Sequence, residues 1–227
     1  MNNDISIARA QSRFMFNVYG WMSFGLFLTS VVALFAASNM ALMQFVFNPW
    51  VFWPMLIAQF GLVVYLSAGL NSMSYTAARI SFIAYSLLTG LTLSSIFFVY
   101  TFSSIAATFL VCSGMFAAMA LYGYFTKADL SGMGTYLLMA IFGLVISSIV
   151  NYFLQNSMFD FMISIFGVII FTLLTAYDAQ KLKEIAYNYE GTNEGAAKLS
   201  IYGALVLYLD FINLFMYLVR LMGRKRD

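Results

Sequence analysis

Two aspartates stand in sequence that is otherwise apolar. Asp210 lies within Leu207–Phe215, eleven residues from either end of the last apolar run, which is about 16 Å along a helix. A charge at that depth in a bilayer costs about 2.5–3.5 kcal/mol on insertion scales, so we expect Asp210 to face the interior of a helix bundle. Asp178 closes the preceding apolar run, about one turn before Lys181. A solvated ion pair with Lys181 is the alternative interpretation for Asp178.

A pair of carboxyl groups inside a membrane has a restricted chemistry. Two carboxylates that approach each other in a low-dielectric site do not both ionise easily, so one of them shares or retains a proton. That proton would hold the pair closed, and its loss would open the pair or admit a cation. Calcium takes about six to eight oxygen ligands and two aspartates offer at most four, so the pair predicts a weak, transient cation site. Asn213 lies one turn beyond Asp210 on nearly the same face.

The two carboxyl groups are predicted at different depths. Counted from Tyr202 as the interface, Asp210 lies about 12 Å deep, whereas Asp178 lies about 5 Å from Lys181. The pair therefore meets only if helix tilt or unwinding closes that difference.

The composition indicates a membrane protein. Of its 227 residues, 63% are hydrophobic and 9% are charged, which leaves 11 basic and 9 acidic side chains. A soluble domain carries about 25% charged residues, so a soluble enzyme and a disordered protein are excluded. The chain has no histidine and one cysteine, Cys112, which excludes a disulfide scaffold and any histidine base or metal ligand. Any pH sensing near neutrality must therefore come from carboxyl groups.

The charged residues separate seven apolar runs of about the 20 residues that a helix needs to cross a membrane. The runs are Tyr19–Ala37, Trp50–Leu70, Ile80–Tyr100, Ile105–Tyr124, Tyr136–Phe153, Phe161–Asp178 and Leu199–Leu221. They predict an all-α membrane protein with seven transmembrane helices over residues 19–222. A polar N-terminal segment, predicted to be cytoplasmic, occupies residues 1–18, and a basic tail occupies residues 223–227. The stretch Asp178–Tyr189 is predicted to extend the sixth helix along the membrane surface.

Lysine and arginine in the short loops favour a cytoplasmic N-terminus. In that orientation seven basic residues lie on the inner side and none in the outer loops. The seven are Arg9, Arg13, Arg79, Lys127, Lys181, Lys183 and Lys198. Seven crossings then place the tail basics Arg224–Arg226 outside, against the same rule. The alternative is that one apolar segment does not fully cross, so that both ends lie inside.

Small residues at four-residue spacing predict close helix packing, because lipid gives little hydrophobic drive for helix association. Three such stripes occur: Ser86, Gly90 and Ser94 on the third helix, Gly114 and Ala118 on the fourth, and Gly143 and Ser147 on the fifth. These stripes predict contacts and carry no chemistry.

Three segments resemble the bacterial branch of the Bax inhibitor-1 family, which belongs to the transmembrane Bax inhibitor motif superfamily. They are Phe171–Leu182 (FTLLTAYDAQKL), Tyr122–Gly134 (YGYFTKADLSGMG) and Ala204–Phe215 (ALVLYLDFINLF). The likeness runs from about Tyr19 to Gly223, and the last segment is the most specific. The resemblance implies a seven-helix bundle with the last helix at its centre, in the bacterial cytoplasmic (inner) membrane.

The resemblance also implies a pH-sensitive calcium leak gated by an aspartate pair, which corresponds here to Asp178 and Asp210. Calcium would then be the permeant ion, with no tightly bound cofactor, and Asn213 is a candidate pore-lining residue. Members of known structure carry an acid near the pore in the second helix. Gln59 takes that place in this chain, whose second helix has no carboxylate. Some bacterial relatives are linked to a membrane-bound ATP-dependent protease, as substrate or modulator.

Two other functions stay open. A non-transporting regulator of membrane proteins, such as that protease, would use the small-residue stripes and the Asp178–Tyr189 helix. An intramembrane aspartyl protease would use Asp178 and Asp210, but Asp210 follows Leu207-Tyr208-Leu209 instead of Gly-x-Gly, and a Pro-Ala-Leu element is absent. We therefore expect no enzyme. The sequence also has no phosphate-binding glycine loop, no Cys/His metal set and no basic patch for nucleic acid. The expected partners are membrane lipid and a membrane protein such as that protease, and the oligomeric state stays open.

Overall fold

The structure, a computed structural model, describes residues 2–70, 72–189 and 192–226, without the side chains of residues 2–9 and 188. The side chain of Arg9 and the terminal residues Met1 and Asp227, which the predictions include, lie outside that description. The described part contains nine helices. They are α1 (Asn2–Ser38), α2 (Met40–Val46), α3 (Pro49–Ala68), α4 (Tyr75–Leu93), α5 (Ile96–Val99), α6 (Phe102–Phe125), α7 (Met133–Leu154), α8 (Ser157–Asn188) and α9 (Asn193–Met222).

Seven stretches of the described helices are long and apolar enough to cross a membrane. They are Ala10–Ser38, Pro49–Ala68, Tyr75–Val99, Phe102–Phe125, Met133–Leu154, Ser157–Tyr187 and Asn193–Met222. The predicted all-α fold with seven spans is thus confirmed. The last helix is central as predicted, because half of its apolar window is buried, whereas no other described span exceeds 39%.

One helix boundary differs from the sequence prediction. Helix α1 is already helical at Asn2, so the polar N-terminal segment forms its first turns. Helix α8 continues through Asp178 to Asn188 without a break, as the predicted extension of the sixth helix over Asp178–Tyr189 requires. The physical reason is that Ala179 and Leu182 are buried beyond Asp178, so apolar packing carries the helix past its charged residues.

The described chain divides into two compact units, and the first comprises Met1–Val99 with Ile185–Tyr208. Within it, α4 packs along α1 and α3. The first half of α9 is bound to the segment that precedes α4. Lys198 Nζ donates to the Met73 carbonyl oxygen at 3.0 Å.

One of the three predicted small-residue stripes packs against another helix. Ser86, Gly90 and Ser94 are buried, and a Cβ on Gly90 would stand 2.7 Å from the Thr29 carbonyl oxygen of α1. The prediction is wrong for the other two stripes. Gly114 and Gly143 are exposed, and a Cβ on either would meet no neighbouring atom within 4 Å. The buried face of α6 carries Cys112, Phe116 and Gly123 instead, and that of α7 carries Leu137 and Leu144.

The second unit comprises Tyr100–Glu184 with Leu209–Asp227. Here α8 and the second half of α9 run antiparallel. Asp160, at the start of α8, pairs with Arg220, near the end of α9, at 3.9 Å between Oδ1 and Nη1. Further along, the rings of Phe171 and Tyr217 stack with centroids 5.8 Å apart.

Helix α6 packs on the same part of α9 through an aromatic cluster. The rings of Phe109 and Phe116 each lie 5.5 Å from the ring of Phe211, in edge-on geometry. The buried thiol of Cys112 lies 3.8 Å from the Phe211 carbonyl oxygen. Because Phe211 follows Asp210 directly, these contacts fix the α9 backbone beside that aspartate.

The basic tail is held against the connection between α5 and α6. The Thr101 N–H donates to the Arg224 carbonyl oxygen at 2.9 Å, and Tyr100 and Lys225 form an antiparallel bridge. This connection follows the third candidate span. The side of the membrane on which the tail lies stays a prediction.

Candidate functional site

Helices α8 and α9 bring Asp178 and Asp210 together. Their carboxyl groups lie within hydrogen-bonding reach of each other. Asp210 is 5% exposed, and Asp178 is partly buried. A hydrogen bond between two carboxyl groups requires a proton on one of them, because an ionised carboxylate only accepts. A hydrogen bond within this pair of one buried and one partly buried acid therefore needs one shared proton.

The pair meets without any unwinding of its helices. Both α8 and α9 are continuous through the aspartates. Helix α8 runs ten residues beyond Asp178, a rise of about 15 Å. The predicted difference in depth counts Asp178 from Lys181 as the membrane interface, whereas α8 continues past Lys181 to Asn188. Lys181 lies on the exposed side of α8, with its ammonium 5.4 Å from the ring centroid of Tyr177.

One oxygen of the pair is left with acceptor capacity. Asp210 Oδ2 is buried and has no hydrogen-bond partner among the described residues. A buried carboxylate oxygen without a partner is energetically costly, and a proton or a cation would satisfy it. The described residues contain no group of three or more His, Cys, Asp or Glu side chains able to hold a metal ion.

The two predicted pore-lining residues make their described contacts elsewhere. Asn213 is in the same unit as the pair, but its Nδ2 donates to the Leu209 carbonyl oxygen of its own helix at 2.8 Å. Gln59 belongs to the first unit, where its Nε2 lies 3.4 Å from Thr92 Oγ1. A pore-lining role for either residue stays a prediction.

Sequence reasoning missed the side chain that fixes the turn of α8 bearing Asp178. Gln180 is buried, and both ends of its amide bind the backbone of the loop between α6 and α7. Its Nε2 donates to the Ala128 carbonyl oxygen, and its Oε1 accepts from the Leu130 N–H, each at 2.8 Å. The sequence does contain a signal for this role, because a glutamine within an apolar helix must find hydrogen-bond partners for its amide.

Further contacts extend this attachment to α6. Lys183 Nζ donates to the Tyr124 carbonyl oxygen, near the end of α6, at 2.8 Å, where a cation is favoured by the helix dipole. A Cβ on Gly123 would collide with the carbonyl group of Ala176, so the backbones approach as closely as glycine permits. We call these contacts the hairpin clamp: Gly123, Tyr124, Ala128 and Leu130 of the α6–α7 hairpin, with Ala176, Gln180 and Lys183 of α8.

The loop of the hairpin has an internal brace. Asp129 accepts hydrogen bonds from the Ser131 hydroxyl and from the Ser131 N–H, the latter at 2.9 Å. These bonds, that of the hydroxyl first, hold the pKa of the Asp129 carboxyl below its ordinary value. The brace stabilises the segment whose backbone binds Gln180.

The chain is similar to known sequences over nearly its whole length. Residues 11–227 match the family described as inhibitor of apoptosis-promoting Bax1. Inner membrane protein YbhL of Escherichia coli K12 is 50% identical over 215 residues, covering 94% of this chain and 92% of YbhL. A Borreliella burgdorferi protein is 43% identical over 218 residues, covering 96% and 94% of the two chains. Protein RP147 of Rickettsia prowazekii is 42% identical over 215 residues, covering 95% and 91%.

Proposed function

Because the chain belongs to the Bax inhibitor-1 family, we propose that this multi-pass membrane protein is a pH-sensitive cation leak of the bacterial inner membrane. Calcium is the permeant ion, and Asp178 with Asp210 is the gate. The observation that carries the proposal is the close approach of these two acids on two helices that are long and apolar enough to span a membrane. The inner-membrane assignment follows the name of the E. coli relative.

The gate works through the charge of the pair. While a proton is shared, the pair carries one negative charge and the two carboxyl groups attract each other. When the proton leaves, two negative charges in contact repel strongly in a low-dielectric site. The carboxylates then separate, and their oxygens become available to a cation. Since two aspartates supply at most four of the about six to eight oxygens that calcium takes, water supplies the rest and the ion passes on.

A liposome flux assay tests the proposal. Purified protein is reconstituted in liposomes, and calcium entry is measured across a pH series. The expected flux of the wild type rises with pH, and Asp210→Asn abolishes that dependence because the remaining Asp178 has no second carboxylate to repel it. Asp160→Asn is the matched control, since Asp160 is half exposed and pairs with Arg220 at the other end of α8. Unchanged flux and pH dependence in Asp210→Asn would overturn the proposal.

The same samples separate the leak from the two other functions. Absence of flux in pure liposomes, together with co-purification of an ATP-dependent membrane protease, would support a non-transporting regulator instead. Cleavage of a helical peptide that disappears in Asp178→Ala would support an aspartyl protease. We propose no enzymatic activity, because Leu207-Tyr208-Leu209 precedes Asp210 where intramembrane aspartyl proteases carry Gly-x-Gly.

A further inference from the structure

We propose that the hairpin clamp, through Gln180, positions Asp178 against Asp210 and thereby sets the pH at which the gate opens. Gln180 is a positioning residue: it touches the loop backbone and acts on the pair through α8. This inference rests on the proposed function, and its test is designed to separate the two.

The clamp holds α8 from the side opposite the pair. An α-helix turns about 100° per residue, so Ala176 and Gln180 lie about 160° from Asp178, and Lys183 lies about 140° from it. All three residues of α8 that belong to the clamp therefore share the face opposite Asp178. The hairpin thus contacts one face of α8, and Asp178 contacts α9 from the opposite face.

The clamp acts on the helix as a whole because its partners on the hairpin are backbone groups. Gln180 binds a carbonyl oxygen and an N–H of the loop, and Lys183 binds a carbonyl oxygen at the end of α6. At Gly123 the approach is between backbones. Backbone partners cannot follow a displaced helix by changing rotamer, so the clamp fixes the position of the α8 axis in this region.

The position of α8 decides how firmly the pair shares its proton. On the α9 side, Cys112 and Phe211 fix the backbone next to Asp210. With both helices held, the carboxyl groups remain in hydrogen-bond contact. If α8 is released from the hairpin, the carboxyl groups separate and the proton is lost at a lower pH.

The charged groups around the pair do not explain such a shift. Lys181 acts electrostatically on Asp178, and Asp178 acts on Asp210. The neighbouring α6 contributes the neutral thiol of Cys112. Lys127 and Asp129 of the hairpin loop are exposed, where water and salt screen their charges. Gln180 carries no charge, so its replacement changes the geometry and leaves the charges as they are.

The principal variant is Gln180→Leu, which preserves the side-chain size and removes both hydrogen bonds to the loop. We expect the midpoint of the pH-dependent calcium flux to move about one pH unit toward acid, which corresponds to 1.36 kcal/mol. Gln44→Leu is the matched control, because Gln44 is exposed on α2, and its midpoint is expected to equal that of the wild type. A wild-type midpoint in Gln180→Leu would overturn the inference.

A second variant distinguishes an effect of the position of α8 from an effect of the charge near the pair. Lys183→Met removes the clamp's bond to α6 together with a positive charge. Release of the helix moves the midpoint toward acid, whereas loss of a nearby positive charge moves it toward alkali. An acid shift in Lys183→Met supports the clamp, and an alkaline shift contradicts it.

An infrared titration makes the test independent of conduction. The carbonyl band of protonated carboxyl that disappears in Asp210→Asn reports the proton of the pair in purified, folded protein. Gln180→Leu is expected to lose that band at a lower pH than the wild type. If the wild type conducts no calcium, the proposed function fails, but this band still decides the inference. If the flux is pH-dependent and the band and midpoint stay unchanged in Gln180→Leu, the inference alone fails.

Discussion

The hydroxyl groups of Thr29 on α1 and Tyr208 on α9 lie 2.6 Å apart in the buried interior of the first unit. The Thr29 hydroxyl also donates to the Ser86 carbonyl oxygen at 2.9 Å, so Tyr208 is the donor in their shared bond. The ring of Tyr208 packs edge-on against Phe82 and Tyr85. One tyrosine thus joins α9 to α1 by a hydrogen bond and to α4 by aromatic contacts.

Tyr208→Phe is expected to lower the free energy of unfolding while the ring contacts persist. The loss is about 0.6–1.7 kcal/mol, the range of hydrogen bonds between membrane helices. Unfolding in a detergent titration measures it. Tyr122→Phe is the control, since Tyr122 is exposed on α6 and its replacement is expected to have little effect. Equal stability of the two variants would show that the bond to Thr29 contributes nothing.

Gly123→Ala is expected to destabilise the second unit, because the added methyl group collides with the Ala176 backbone. Overpacking of this kind costs about 1–3 kcal/mol. The same substitution at Gly114, on the same helix, meets open space and is expected to be neutral or slightly stabilising, because alanine is the better helix former. Thermal unfolding of both variants checks the contrast. A Gly123→Ala protein as stable as Gly114→Ala would contradict the close approach of α6 and α8.

The hydrogen bonds of Asp129 predict that the stability of the hairpin loop depends on pH. Its pKa is lowered in the folded protein, first by the Ser131 hydroxyl and then by the Ser131 N–H. Its stabilisation is therefore present above the ordinary pKa of aspartate and is lost as the pH falls through the lowered pKa. Ser131→Ala is expected to bring the pKa back toward its ordinary value. Carboxyl carbon NMR across acid pH measures the Asp129 pKa. An unchanged titration in Ser131→Ala would show that the Ser131 hydroxyl does not bind the Asp129 carboxyl group.

The pairing of the tail with the α5–α6 connection predicts a common side for both. Cysteines introduced as Arg226→Cys and Ser103→Cys are expected to react with an impermeant maleimide in intact cells. Lys127→Cys, one span further along, is expected to stay unlabelled, because an N-terminus inside places its loop inside. The native Cys112 is fully buried and gives little background. Opposite labelling of the tail and Ser103 would contradict the pairing.

The number of spans could be predicted because each charged or polar break in the sequence is followed by an apolar run long enough for a bilayer. The interior position of Asp210 could be predicted for the same reason, since the cost of a charge in lipid leaves one place for it. These inferences need the energetics of a single helix in a membrane and no knowledge of its neighbours.

The remaining features depend on neighbours. The charged residues around Lys181 look like the end of a membrane span, and α8 continues past them because Leu182 is buried. Small-residue spacing identified the stripe at Gly90 and also two stripes that face outward, because spacing alone does not say which face meets a helix. The hydrogen-bond partners of Gln180 are backbone groups about 50 residues earlier in the chain, and no local sequence pattern predicts them.

The order of the two aspartates along the chain has a consequence for biogenesis. Asp178 leaves the ribosome before Asp210, which follows it 32 positions later in the chain, a delay of about 2–6 s at ordinary rates of synthesis. The groups of the hairpin that bind Gln180 and Lys183 are already synthesised by then. The sixth span can therefore dock on the hairpin while Asp178 still has no carboxyl partner. Until the seventh span arrives, Asp178 enters the membrane as a neutral acid or waits at the translocon, so insertion of this segment is expected to be faster at lower pH.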